Sequence, residues 1–94
     1  MIEPRRSDCW LCSRPIGRRF ELHHPVPKSR GGRTTEAVHP ICHRTLHATF
    51  SNGELARIGA DLKVIRANTA MARFLLWIAD KDPDFHAPTA RKKR

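Results

Sequence analysis

The sequence predicts an α+β fold, with a hairpin-and-helix unit of ββα order in the first half and a helical extension after it. Three observations carry this expectation. Residues Arg18 to His24 alternate like a strand, Phe20 and Leu22 on one face and Glu21 and His23 on the other. A helix beginning at Ile41 or Cys42 and running to about Phe50 sets Leu46 and Phe50 one turn apart on one face. From Leu55 to Ile78 the chain holds most of its aliphatic residues, broken into short segments by capping residues.

Taken in order, Met1 to Ser7 is a polar lead-in, expected to be mobile. Cys9 to Cys12 is a C-x-x-C pair, and Pro15 and Gly17 suit the tight turn of a metal knuckle. Pro25 and Pro27 end the first strand by removing ladder donors. Lys28 to Arg33 forms a basic turn in which Gly31 and Gly32 allow positive φ. Thr34 to Val38, β-branched at Thr34, Thr35 and Val38, reads as a short return strand or extended loop. Ser51-x-x-Glu54 has the form of a capping box ahead of a helix from Leu55 to about Ile58, stopped near Gly59. Asp61 caps Leu62 to Ala67, and Asn68 caps Thr69 to Asp80. In that last helix Met71, Phe74, Leu75 and Ile78 form a stripe expected to be core. The like-charge run Arg91 to Arg94 is expected to be disordered.

The 94 residues are expected to make one domain, with a core at 9–50, a helical extension at 51–82 and a basic tail at 83–94 expected to be disordered. A chain this short buries a limited share of its surface and commonly needs a staple. The formal charge of +9 favours a polyanionic partner, nucleic acid before membrane. No apolar run approaches the ~20 residues needed to span a bilayer. The N-terminus MIEPRRSDCW is charged and lacks the apolar stretch of a signal peptide, so a cytoplasmic location is expected. In a reducing compartment, three cysteines including a C-x-x-C pair suggest metal ligation over disulfides.

Five of the six histidines lie between Glu21 and His47. With the cysteines they are too many for one tetrahedral site, and their spacing divides them. Cys9-x2-Cys12 and His39-x2-Cys42 repeat one spacing and together form a Cys3His set of the kind structural zinc uses. Pairing Cys42 with His47 instead would separate the ligands by about 500° of helical rotation, on different faces. His43 and His47 are one turn apart on a shared face and free to join His23 on the neighbouring strand. This gives one closed structural site and one open three-histidine site. His86, isolated near the C-terminus, takes the ordinary reading of a solvated histidine.

HH-x2-P-x-S-x-G-G over His23 to Gly32, framed by the knuckle pairs and followed by C-H-x3-H over Cys42 to His47, resembles the HNH endonucleases, also called ββα-metal or His-Me finger nucleases. The resemblance covers residues 9 to about 55. It implies a zinc-stapled ββα-metal fold and metal-dependent hydrolysis of DNA phosphodiesters. It implies His23, His43 and His47 as ligands of a catalytic divalent metal and His24 as the general base. The position that the family fills with Asn is Thr34 here, which can supply a hydroxyl to orient the base. His39 stands where the family's knuckle has Cys.

The chemistry of the residues agrees. Phosphodiester hydrolysis needs an activated water, and an imidazole, titrating ordinarily near pH 6.5, suits the task. A three-histidine shell favours Zn, Ni, Co or Mn over Mg, which prefers oxygen ligands. Arg18, Arg19, Lys28, Arg30, Arg33 and Arg44 fall in or beside the window and suit phosphates of double-stranded DNA without reading sequence. A setting within a larger phage or restriction assembly fits this reading. The alternative is a non-catalytic zinc-finger module that only binds DNA; a basic membrane-surface protein is disfavoured because the charge surrounds metal ligands and forms no amphipathic stripe.

Overall fold

Two glycines, two prolines and a basic run separate the halves of the hairpin, and the pairing of those halves sets the rest of the chain. The computed structural model describes residues 8–25 and 34–87. The lead-in, the basic turn from Lys28 to Arg33 and the charged run Arg91 to Arg94 lie outside the described residues.

Strand β1 (Glu21–His23) pairs antiparallel with β2 (Glu36–Val38), with Glu21 opposite Val38, Leu22 opposite Ala37 and His23 opposite Glu36. The first strand is shorter than its alternation predicts. Its partner offers three residues, and the backbone N–H of Arg18 bonds the Asp84 carboxylate at 2.7 Å. Its faces also depart from a simple apolar-inside pattern. His23 is 2% exposed, whereas Phe20 and Leu22 are 38% and 42% exposed, because the histidine face is the one turned to the first helix.

Helix α1 (Pro40–Thr49) starts on a proline, whose missing N–H costs nothing in a first turn. His39 precedes it as the N-cap without making a side-chain cap, because its ring is engaged in the knuckle. Ile41, Cys42 and Leu46 line its buried face. Helix α2 (Asn52–Ile58) begins earlier than its first leucine suggests: Ser51 and Glu54 complete the reciprocal capping box, which nucleates the turn before Leu55. Gly59 ends it at φ 61°, in the left-handed region that glycine enters without penalty. Asp61 caps α3 (Leu62–Ala67), and Asn68 caps α4 (Thr69–Ile78) through the N–H of Met71 at 2.9 Å.

The described residues form a two-stranded sheet and four helices around one apolar cluster. Leu11, Val38, Ile41, Leu46 and Phe50 come from the first half; Leu55, Ile65, Met71 and Ile78 come from the second. Of the predicted stripe on α4, Met71 and Ile78 are fully buried, while Phe74 and Leu75 pack partly buried against the cluster. No helix among the described residues is long and apolar enough to cross a membrane.

Residues 83–87, assigned from sequence to the basic tail, turn back over the knuckle. Phe85 and Ala87 pack on the core, and Asp84 reaches the knuckle backbone. A Cβ on Gly17 would run into the Asp84 carboxylate, so this contact needs glycine at 17. Residues 88–94 lie outside the described residues.

Two candidate metal centres

The knuckle is a tight turn closed by Cys9 N–H to the Arg14 carbonyl and Ser13 N–H to the Cys9 carbonyl, both 2.9 Å, with an isolated bridge between Asp8 and Pro15. Ser13 sits at φ 69°, a left-handed conformation unusual for a residue with a side chain. The turn directs the N–H of Cys12 at the Cys9 sulfur, 3.5 Å away. A further bond, Trp10 N–H to the Ala37 carbonyl at 2.9 Å, lays the knuckle beside β2. The pairs Cys9–Cys12 and His39–Cys42 are thereby brought face to face, with all four donor atoms within 4.8 Å of one another. The three thiols are free cysteines.

The donor set fits a metal on two counts. The Pro15 carbonyl can only accept, so its 2.8 Å contact with His39 Nε2 places the hydrogen on that nitrogen. The lone pair is then on Nδ1, which faces the sulfurs of Cys12 at 3.4 Å and Cys42 at 3.8 Å. The sulfurs also divide in acidity. Hydrogen bonds from Cys42 and Cys9, aided by Arg14, hold the Cys12 thiol well below the ordinary range. Its bonds with Cys12 and Cys9, with burial, push Cys42 up. Metal binding at such a group would displace thiol protons. A Cys3His site able to hold a structural metal such as zinc is therefore present.

The second cluster lies on the next face of α1. Glu21 and His23 project from one face of β1 toward His43 and His47, one turn apart on the helix. The His23 ring centroid is 5.4 Å from that of His43 and 5.6 Å from that of His47, and the helix pair is 4.9 Å apart. One nitrogen from each of the three rings lies within 4.8 Å of the others. Both ring nitrogens of His23 are buried without a hydrogen-bond partner, a costly state for a polar group that a bound cation would relieve.

Glu21 Oε1 accepts from His43 Nδ1 at 2.9 Å, which leaves the other nitrogen of that ring as a lone-pair donor. Burial first, then the neighbouring imidazoles, lowers His23 to a pKa of about 4. Burial and then His43 lower His47 as well. Both groups are thus in the ligand form at neutral pH. Trp10 lies against His23 with centroids 5.4 Å apart, so the knuckle supplies one wall of this cluster.

The remaining sequence-derived candidates are more dispersed. His24 follows His23 directly, is half-buried and belongs to neither cluster. Thr34 is exposed ahead of β2, and no hydrogen bond joins it to His24 among the described residues. Arg18, Arg19 and Arg44 are exposed. Lys28, Arg30 and Arg33 lie outside the described residues. The sequence reading missed Arg14, Trp10 and Glu21 as supports, and took Pro15 for a turn residue only, not for the acceptor that orients His39. Trp10 and Arg14 lie in or beside the C-x-x-C turn, and Glu21 shares the strand face of His23, which were the signals available.

The fold and its sites define a small α+β protein with a cysteine–histidine knuckle that could hold a metal ion. The chain belongs to the family of the uncharacterized protein YisB of Bacillus subtilis (strain 168), being 35% identical to it over 78 residues that cover 81% of this chain and 77% of that protein. No family model matches the chain, and no solved structure matches it.

Proposed function

We propose that the protein is a metal-dependent DNA endonuclease of the HNH type, with a structural zinc in the Cys3His knuckle. The observation that carries the reading is the three-histidine cluster: a buried His23 with two unpartnered nitrogens, met by His43 and His47 and immediately followed by His24. A nucleic-acid module held together by one zinc has no need of a second set of converging imidazoles.

In this reading His23, His43 and His47 would hold a divalent cation, Zn, Ni, Mn, Co or Mg. Such an ion would polarise the phosphoryl oxygen and stabilise the departing alkoxide. His24 takes the proton from the attacking water as general base. Glu21 holds the His43 ring in orientation. Arg18, Arg19 and Arg44 grip flanking phosphates of double-stranded DNA, joined by Lys28, Arg30 and Arg33 of the basic run. Thr34 stands in the place of the family's Asn and can supply a hydroxyl, although no hydrogen bond joins it to His24 among the described residues.

The test is cleavage of supercoiled plasmid under a panel of divalent metals. Wild type should nick or linearise it, and His24→Ala should lose that activity while retaining its circular-dichroism spectrum and its zinc. Full activity in the variant removes His24 from the mechanism.

The second reading, a zinc-bearing module that binds DNA without cutting it, is favoured by Thr34 alone. Binding assays do not separate the two, since both expect salt-sensitive association. Absence of a second metal together with absence of cleavage would select it.

A further inference from the structure

Arg14 is 7% exposed, yet among the described residues no carboxylate lies within ion-pairing distance of it. Its guanidinium spends two nitrogens on neutral acceptors: Nε donates to the Lys81 carbonyl at 3.0 Å and Nη2 to the Asp82 carbonyl at 2.6 Å. The third, Nη1, lies 3.5 Å from the Cys12 sulfur and 3.4 Å from His39 Nδ1. A buried cation needs an anionic partner, or its desolvation goes uncompensated. The group in a position to supply that charge is the sulfur cluster.

Charge balance gives the same result from the other direction. Three thiolates, one neutral imidazole and one divalent cation carry a net charge of −1, and one guanidinium brings it to zero. The fork geometry of arginine also lets one side chain serve the cluster and two backbone carbonyls at once, which an ammonium group does not reproduce.

We propose that Arg14 is a positioning residue of the Cys3His site, a counter-charge beside the ligands that sets the affinity for zinc and docks the 81–87 segment on the knuckle. The proposal rests on the zinc reading of that site and makes the C-terminal segment a part of the metal centre. Asp84 belongs to the same docking, through the N–H of Arg18, but carries no contact with the sulfurs.

The test is zinc affinity of the full-length chain, read by competition with a chromophoric chelator, for wild type, Arg14→Gln, Arg14→Lys and Asp84→Asn. Arg14→Gln should weaken zinc binding by about 10–100-fold, the range for loss of a supporting partner. Arg14→Lys, which keeps the charge and loses the fork, should weaken it less than Gln and by well under about tenfold, while still lowering thermal stability. Asp84→Asn should lower stability and leave zinc affinity within about twofold of wild type. In cobalt-substituted protein, the thiolate-to-cobalt charge-transfer band should shift in Arg14→Gln and stay in place in Asp84→Asn.

An affinity of Arg14→Gln within about twofold of wild type would overturn the proposal, as would an equal loss in Gln and Lys. If Arg14→Gln does not fold, the other two variants decide: a tenfold loss in either Arg14→Lys or Asp84→Asn shows that docking, and not charge, sets affinity. Failure of wild type to bind zinc would refute the metal reading itself, a result distinct from these.

Discussion

At the residue scale, the informative groups are those whose surroundings force one protonation or tautomeric state. His39 and His43 are each fixed by an acceptor on the ring nitrogen that faces away from its cluster, a carbonyl for one and a carboxylate for the other. Glu21→Ala should therefore weaken divalent-metal binding at the three-histidine site by about 10–100-fold with little change in the knuckle; calorimetric titration of nickel into zinc-loaded protein checks it. His23 makes a pH prediction. Its folded pKa of about 4 lies below the ordinary histidine value of 6.5, so the unfolded chain binds the extra proton more readily. The stability due to its neutral form is complete above about pH 6.5 and declines as pH falls toward 4. Urea unfolding of protein with its three-histidine site stripped of metal should show this loss, on the order of 3 kcal/mol across the window, and His23→Phe should flatten the dependence.

At the element scale, α1 is the shared wall of both centres. Its first turn delivers Cys42 to the knuckle, with His39 at its cap, and its next face delivers His43 and His47 to the second cluster. Leu46, fully buried between these faces, holds the helix on the core. Leu46→Ala should cost about 2–5 kcal/mol, seen as a lower urea midpoint. This division was legible in the sequence because helical spacing is rigid: three and four residues apart have fixed geometric meanings, and so do capping residues such as Ser51, Asp61 and Asn68. The strand was less legible. Alternation identified two faces in Arg18 to His24, but which face is buried depends on α1, and its length depends on a three-residue partner. The return of residues 83–87 was not legible at all. Arg14 meets carbonyls 67 and 68 positions away, and no local pattern encodes such a contact. Arg66 on α3 is a similar case, donating to the Leu11 carbonyl from 55 positions away.

At the scale of the whole molecule, three polar attachments among the described residues tie the knuckle and the segment after it to the second half: Arg14 to residues 81 and 82, Arg66 to Leu11, and Asp84 to Arg18. Zinc binding in small knuckles is worth about 10–16 kcal/mol, comparable to the whole stability of a domain of about 5–15 kcal/mol. Strong chelation should accordingly unfold the knuckle and hairpin and expose Trp10, while some helix persists in the second half; tryptophan emission and circular dichroism follow the two parts. The proposed function requires two metals of unlike kind, one closed in by sulfur and one open among histidines. Elemental analysis of metals per chain tests it most directly, on wild type and on the double variant His43→Ala/His47→Ala after equilibration with a weak chelator and excess manganese or nickel. The account predicts one retained zinc in both proteins and a second, exchangeable ion in wild type alone. A single zinc in wild type under every metal, or a second ion unchanged in the double variant, would contradict it.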